Sequence, residues 1–226
     1  MPTAKAEPIS IALKTGKTSG LVVGPAKAHA CYVMAHGAGA GMAHPFMAAV
    51  AAGLAERGIA TVRYQFPYME AGGKRPDPPA VAHAAVRAAV DAARKRFPKL
   101  PLFAGGKSFG GRMTSQAQAK SPLDGVHGLV FFGFPLHAAG KPSRERAAHL
   151  SDVTIPMLFL QGTRDALAEL SLLEPVINGL GSRATLHLLE GADHSFHVLK
   201  SSGRNDREVM DEALNAFAAW VDLVAW

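Results

Sequence analysis

An α/β protein, with a mostly parallel sheet covered by helices on both faces, is predicted by three features of this sequence. Strand-like apolar runs alternate with helix-like stretches along the chain. No sequence repeat or low-complexity linker interrupts that alternation. Residues 102–113, reading Leu-Phe-Ala-Gly-Gly-Lys-Ser-Phe-Gly-Gly-Arg-Met, have the form of a buried strand that turns abruptly into a helix.

The elements follow in order. Residues 9–13 and 21–23 read as two short opening strands, separated by Gly16 and Gly20, in an N-terminal hairpin. Residues 31–35 are a continuous apolar run bounded by Pro25 and by glycines, as expected of a strand buried on both faces. A helix begins near Pro45, since proline suits a first helical turn; Phe46, Val50 and Leu54 share one face, and Gly58 stops it. Residues 59–64 form the next strand, and the proline-rich loop 66–79 leads into an alanine-rich helix over 81–97. Strand 102–105 feeds the turn at Ser108, the following helix runs to about Lys120, and 126–132 is another buried strand. Residues 133–152 form a long irregular stretch before a strand at 157–160. Ser171 and Glu174 suggest a capping box for a short helix, and 184–189 is the last strand. The final helix, from about Asp206, puts Met210, Phe217, Trp220 and Val224 on one stripe.

Composition narrows the function classes. A chain of 226 residues suits one large core better than two, so a single domain spanning 1–226 is expected. The first 13 residues hold no apolar core of signal-peptide length, and no run of about 18 apolar residues occurs anywhere, which predicts neither secretion nor membrane association. Cys31 is the only cysteine, so no intrachain disulfide can form, and a reducing cytoplasm is the expected setting. Its place in an apolar run assigns it to packing. The net charge of +6 is not concentrated as a nucleic-acid footprint requires: Arg94, Lys95 and Arg96 fall at a helix C-terminus, where they favour the dipole. No nucleic-acid partner is expected. A homo-oligomer is compatible with the sequence.

The chemistry lies in the strand-turn-helix. A serine hydroxyl is a poor nucleophile and must be presented on a sharp bend within reach of a base. Gly106 and Gly110, two residues either side of Ser108, make the G-x-S-x-G nucleophile elbow, in which close backbone approach is tolerated only without Cβ atoms. In a chain with 23 glycines, about 0.1 such matches arise by accident, and the strand-helix context lowers that further. A phosphate loop ending Gly106-Lys107-Ser108 would need glycine at position 101, which is proline. The second glycine cluster, His36-Gly37-Ala38-Gly39-Ala40-Gly41, lacks the third glycine of a dinucleotide fingerprint, and the next strand ends Arg63-Tyr64-Gln65 without an acid. No cofactor is therefore expected. In a serine hydrolase that loop serves a different purpose, because an N–H from Ala38 or Gly39, together with the N–H of Phe109, would stabilise the oxyanion of acyl transfer.

Base and acid should follow later strands, in the order serine, acid, histidine. Asp165 lies just past the strand that ends near Gly162, and His194 follows the last strand. His187 sits inside that strand, Asp193 adjoins His194 and points elsewhere, and His197 is a second loop histidine. His194 and His197 do not make a metal motif, because HExxH is absent and no third ligand is indicated, so no metal is expected.

These residues resemble the α/β-hydrolase superfamily over nearly the whole chain, and within it the small dienelactone-hydrolase-like members without a large cap. The stretches Arg63-Tyr64-Gln65-Phe66-Pro67-Tyr68-Met69-Glu70, Gly133-Phe134-Pro135-Leu136-His137 and Gln161-Gly162-Thr163-Arg164-Asp165 are similar to a poorly characterised family that includes a subunit of a histone-acetyltransferase-associated chromatin complex. The resemblance implies an eight-stranded, mostly parallel sheet with Ser108, Asp165 and His194 as the triad. Dienelactone hydrolase has cysteine as nucleophile where this chain has serine, so its substrate does not carry over. Two functions follow: a serine hydrolase of small carboxylic esters or thioesters, or a non-catalytic interaction module that keeps the fold. For the hydrolase, residues 133–152 leave room for little more than a loop and one short helix, so the site should be open. Phe66, Tyr68 and Met69 on one side and Phe134, Leu136 and His137 on the other are the expected walls for a small-molecule ester.

Overall fold

The computed structural model describes residues 5–225; the first four residues of the segment read above for a signal lie outside it, as does Trp226. Eight strands form one sheet: β1 (Glu7–Ala12), β2 (Lys17–Val23), β3 (Ala30–Ala35), β4 (Ile59–Tyr64), β5 (Leu102–Lys107), β6 (Val126–Phe132), β7 (Met157–Gly162) and β8 (Ala184–Leu189). Their order is β1-β2-β4-β3-β5-β6-β7-β8. The hairpin pairs antiparallel with itself and then with β4, and all later pairings are parallel. The eight-stranded, mostly parallel sheet implied by the resemblance is thus present. The opening strands are longer than hydrophobicity suggests, because the register Ala12↔Lys17 to Glu7↔Val22 is carried by backbone bonds through polar residues.

The helices are α1 (Pro45–Glu56), α2 (Pro67–Glu70), α3 (Pro79–Arg96), α4 (Phe109–Lys120), α5 (Leu170–Leu180) and α6 (Asp206–Val224). Proline opens each of the first three, supplying a preset φ where no backbone donor is required. The short α2 lies inside the stretch expected to be all loop. The capping box falls elsewhere than expected. Helix α5 starts one residue before Ser171 with Glu169 as a cap that makes no side-chain bond, whereas Asn205 and Glu208 cap α6 reciprocally.

Two cores sandwich the sheet. One packs α3, α4 and α5 against the face carrying Val33, Val62, Phe131 and Phe159. The other packs α1 and α6 against Tyr32, Met34, Phe103 and Phe132. Phe217 and Trp220 of α6 are buried as the stripe predicts, but Met210 and Val224 are only partly so; Val209, Leu214 and Val221 complete the contact. Cys31 is wholly buried, and burial pushes its thiol up to about 12, which keeps it inert and fits a packing role. No described helix is long and apolar enough to cross a membrane.

Parallel strands end together, so the loops after β3, β5, β6, β7 and β8 meet along one edge. Strand order reverses beside β3, whose chain continues to β4 on one side while β5 lies on the other. Such a switch point leaves a crevice at the strand ends. The residues 133–156 between β6 and β7 do not roof it. Their only helical turn, a 3₁₀ stretch at Glu145–Asp152, buries Ala147 and Leu150 in the core, and its His149 ring lies 2.7 Å from the Ser115 hydroxyl of α4.

Candidate active site

Ser108 stands between β5 and α4 with φ 49° and ψ −115°, a conformation that few residues other than glycine adopt. The glycines explain how it is held. A Cβ at Gly106 would lie 2.2 Å from the Ala35 carbonyl oxygen, and one at Gly110 would lie 2.5 Å from that of His36. The close approach is therefore to the end of neighbouring β3, which presses the elbow from the side. Gly106→Ala should cost on the order of 3 kcal/mol or more, from overpacking combined with a positive φ, measurable as a lowered denaturant midpoint or loss of soluble protein. A variant as stable as the parent would show that the elbow can relax.

The three residues expected to act together do meet. Ser108 Oγ lies 2.9 Å from His194 Nε2, and His194 Nδ1 lies 2.7 Å from Asp165 Oδ2. Asp165 has a fully buried side chain, while His194 is about one-quarter exposed. The carboxylate is held from both ends: Oδ2 also accepts from Gln161 Nε2 at 2.6 Å, and Oδ1 accepts from the Leu167 N–H at 2.8 Å. Gln161 is itself locked, because its Oε1 accepts from the Phe134 N–H at 2.9 Å. With the acid as acceptor, Nδ1 carries the proton and Nε2 is free to accept from the serine hydroxyl. The competing residues are engaged elsewhere. Asp193 Oδ1 accepts from the N–H groups of Ser195 and His197, His197 pairs with Asp206 at 2.9 Å, and His187 faces Glu212 at 3.1 Å.

Of the two alternatives on the glycine loop, Gly39 is committed: its N–H donates to the Tyr68 hydroxyl at 3.4 Å. Among the described residues, the N–H groups of Ala38 and Phe109 have no acceptor. The loop is braced from beneath by His36, a residue that sequence reasoning passed over. Its Nδ1 donates to the Gly37 carbonyl, and its Nε2 accepts from the Phe66 N–H at 3.0 Å. Burial lowers the His36 pKa and keeps the ring neutral, as an acceptor at Nε2 requires.

The expected walls are a correction. A cleft of about 430 Å³ opens over Ser108 and His194, with Phe46, Met47 and Leu167 as its apolar lining and Ala38, His44 and Lys107 also contributing to its walls. None of the six residues expected there lines it. Phe66, Phe134 and Leu136 are wholly buried, and Tyr68 nearly so, in the core beneath α3 and α4. Phe66 packs on the His36 and Phe109 rings, and Phe134 on Phe131 and Phe159. His137 is buried and braces the loop after β7, donating its N–H to the Leu167 carbonyl at 3.0 Å. Met69 packs against the same core, partly exposed. Large aromatics placed just after strand ends gain more by turning into the core than by facing an open cleft, since each buries most of its ring there.

The chain matches the family described as an alpha/beta hydrolase domain over residues 28–222. In fold it is similar to the dienelactone hydrolase of Anabaena variabilis, at 20% identity and a TM-score of 0.80 over 99% of this chain and 100% of that one. A serine hydrolase without lid from Xanthomonas campestris shares 20% identity, with a TM-score of 0.74 over 97% of this chain and 96% of the other. An esterase from an Arctic intertidal metagenomic library shares 19% identity, with a TM-score of 0.71 over 100% and 96% respectively. At these identities the structural likenesses establish fold, and the family match spans most of the sequence: the chain belongs to the alpha/beta hydrolase domain family.

Proposed function

We propose that the protein is a serine hydrolase that cleaves carboxylic esters of small acyl groups through an acyl-enzyme. The observation that carries this reading is the unbroken hydrogen-bonded chain from Ser108 through His194 to Asp165, beside two backbone N–H groups that have no acceptor among the described residues. Ser108 Oγ attacks the acyl carbon while its proton passes to His194 Nε2, and Asp165 stabilises the resulting imidazolium. The carbonyl oxygen becomes an oxyanion that takes the N–H groups of Phe109 and Ala38. Collapse expels the alcohol, which leaves with the proton from His194. Water then attacks the acyl-serine, His194 accepts its proton and returns it to Ser108, and the acid departs. A thiol leaving group needs no different step, so thioesters fall within the same proposal.

Small acyl groups are favoured by the cleft. A cleft near 430 Å³ bounded by Phe46, Met47 and Leu167, with no helical cap above it among the described residues, must take the alcohol as well as the acyl chain and leaves the far end of a long chain in water. Each methylene left in water forgoes about 0.8 kcal/mol of binding. On p-nitrophenyl esters, kcat/KM should therefore peak at acyl chains of about two to four carbons, if that forgone burial sets the trend. A steady rise through long chains would mean that a groove beyond this cleft, or a partner, supplies the cover.

A further inference from the structure

One cation stands behind His194 and takes no part in the hydrogen-bonded chain. Lys107 is the last residue of β5, one position before Ser108. Its Nζ donates to the backbone carbonyl of His194. The same ammonium lies 5.4 Å from the ring centre of Phe46 and 5.1 Å from that of Phe196, two rings that meet edge to face. Phe46 belongs to α1 and Phe196 to the loop that carries His194, so a single charge ties the elbow, α1 and the histidine loop together. Gly133 lies against it as well. A Cβ there would lie 2.8 Å from Nζ and 3.4 Å from the His194 ring.

An ammonium in such a place is costly to folding, because burial penalises the charge and no carboxylate among the described residues pairs with it directly. An unbranched apolar side chain would fill the space without that cost. The contacts of the charge fall on the His194 carbonyl, on Phe196 of the same loop, and on Phe46, which packs against Phe196. We propose that Lys107 is a positioning residue, whose ammonium, caged by Phe46 and Phe196, fixes the His194 backbone through its carbonyl and so keeps the imidazole in line between Asp165 and Ser108. This rests on the reading of Ser108 and His194 as nucleophile and base.

The device depends on charge. A charge-assisted bond is about twice as strong as a neutral one, and the attraction to both ring faces exists only for the cation. The groups that face Lys107 are Asp165 from the turn after β7, Asp193 and His194 from the loop after β8, and His44 across the cleft from the start of α1; Phe46, Phe196 and Gly133 carry no charge. Burial lowers the Lys107 pKa to about 8, outweighing the opposing pull of Asp165 and Asp193. The folded-state value thus lies below the ordinary lysine value of 10.5. Between those two values the unfolded chain holds a proton that the folded one has released, so this group's contribution to stability rises with pH while its hold on His194 weakens.

The test compares wild type with Lys107→Met on a short-chain p-nitrophenyl ester and follows fluorophosphonate labelling of Ser108 across pH 6 to 10. Wild type should lose kcat and labelling rate as pH rises through about 8, if the ammonium is the group that titrates. Lys107→Met should lower kcat on the order of 10- to 100-fold with KM changed less than about twofold, and should lack the alkaline fall. Its melting temperature should equal or exceed that of wild type. Unchanged kcat in the variant, a persisting alkaline fall, or a melting temperature that drops together with activity would overturn the proposal. Should the variant not fold, the wild-type profile alone decides, since activity that stays level from pH 7 to 10 excludes a role for the charge. A wild-type protein with neither turnover nor labelling would instead remove the hydrolase reading itself.

Discussion

Ser108→Ala is expected to abolish covalent labelling by a fluorophosphonate probe and to lower ester turnover on the order of 10⁶-fold, the loss seen when a serine protease loses its nucleophile. The expectation follows from what the substitution leaves in place. Alanine keeps the Cβ, so the backbone at φ 49° is no more strained than before, and the N–H of residue 108 still donates to the Phe132 carbonyl at 3.2 Å. What disappears is Oγ and its bond to His194 Nε2 at 2.9 Å. The neighbouring N–H groups of Ala38 and Phe109 remain, so binding and oxyanion stabilisation account for whatever rate survives. The variant should fold with a melting temperature within a few degrees of wild type, if a single part-buried hydrogen bond contributes about 1 kcal/mol. Mass spectrometry after labelling of the wild type should find the adduct on the peptide holding Ser108. An adduct elsewhere, or undiminished labelling of the alanine variant, would refute the elbow as the nucleophile.

That residue was legible in the sequence because its signal is local. A bend flanked by Gly106 and Gly110 between an apolar run and a helix is set by neighbours in the chain, and so is the position of Asp165 and His194 just beyond strands β7 and β8. Parallel strands bring their ends together whatever the details, which is why residues 86 positions apart could be paired in advance. The cleft walls were not legible. Phe66, Phe134 and Leu136 have the hydrophobicity of a substrate pocket and equally that of a core, and only the packing beneath α3 and α4 decides between them. The same limit applies to Lys107, which on a motif reading is the variable position of G-x-S-x-G. Its cage consists of Phe46 and Phe196, 61 and 89 positions away by residue number, and no local pattern marks their convergence. Gly39 and Ala38 are equivalent by sequence, and it is the fold that brings the Tyr68 hydroxyl onto the N–H of Gly39.

Asp165→Asn should reduce turnover by on the order of 10⁴, the handicap that the corresponding change imposes on a serine protease, while Asp193→Asn should cost less than about tenfold. The difference arises from hydrogen bonding, since both are aspartates close to His194. Oδ2 of Asp165 accepts from Gln161 and from His194, and Oδ1 accepts from the Leu167 N–H, so the site offers donors on every side. An asparagine has one acceptor and one donor group there. With its oxygen toward Leu167, the amide donates to His194 Nδ1, forces the proton onto Nε2 and leaves nothing to accept from Ser108; it also opposes the Gln161 amide, which Phe134 prevents from turning. With its oxygen toward His194, the amide opposes the Leu167 N–H, and the tautomer is kept but the charge that stabilises the imidazolium is gone. Either arrangement leaves one buried donor facing another, at about 1–3 kcal/mol of stability. The variant should therefore remain folded, with a lowered melting point. Asp193 differs in that, among the described residues, one oxygen alone is used, accepting from the N–H groups of Ser195 and His197 in an exposed turn. Asparagine can keep that oxygen in place and turn its amide to water. Steady-state kinetics of the two variants, with melting curves to confirm that both fold, separates the roles: a greater loss of kcat/KM in Asp193→Asn than in Asp165→Asn would mean that the wrong carboxylate has been assigned to His194.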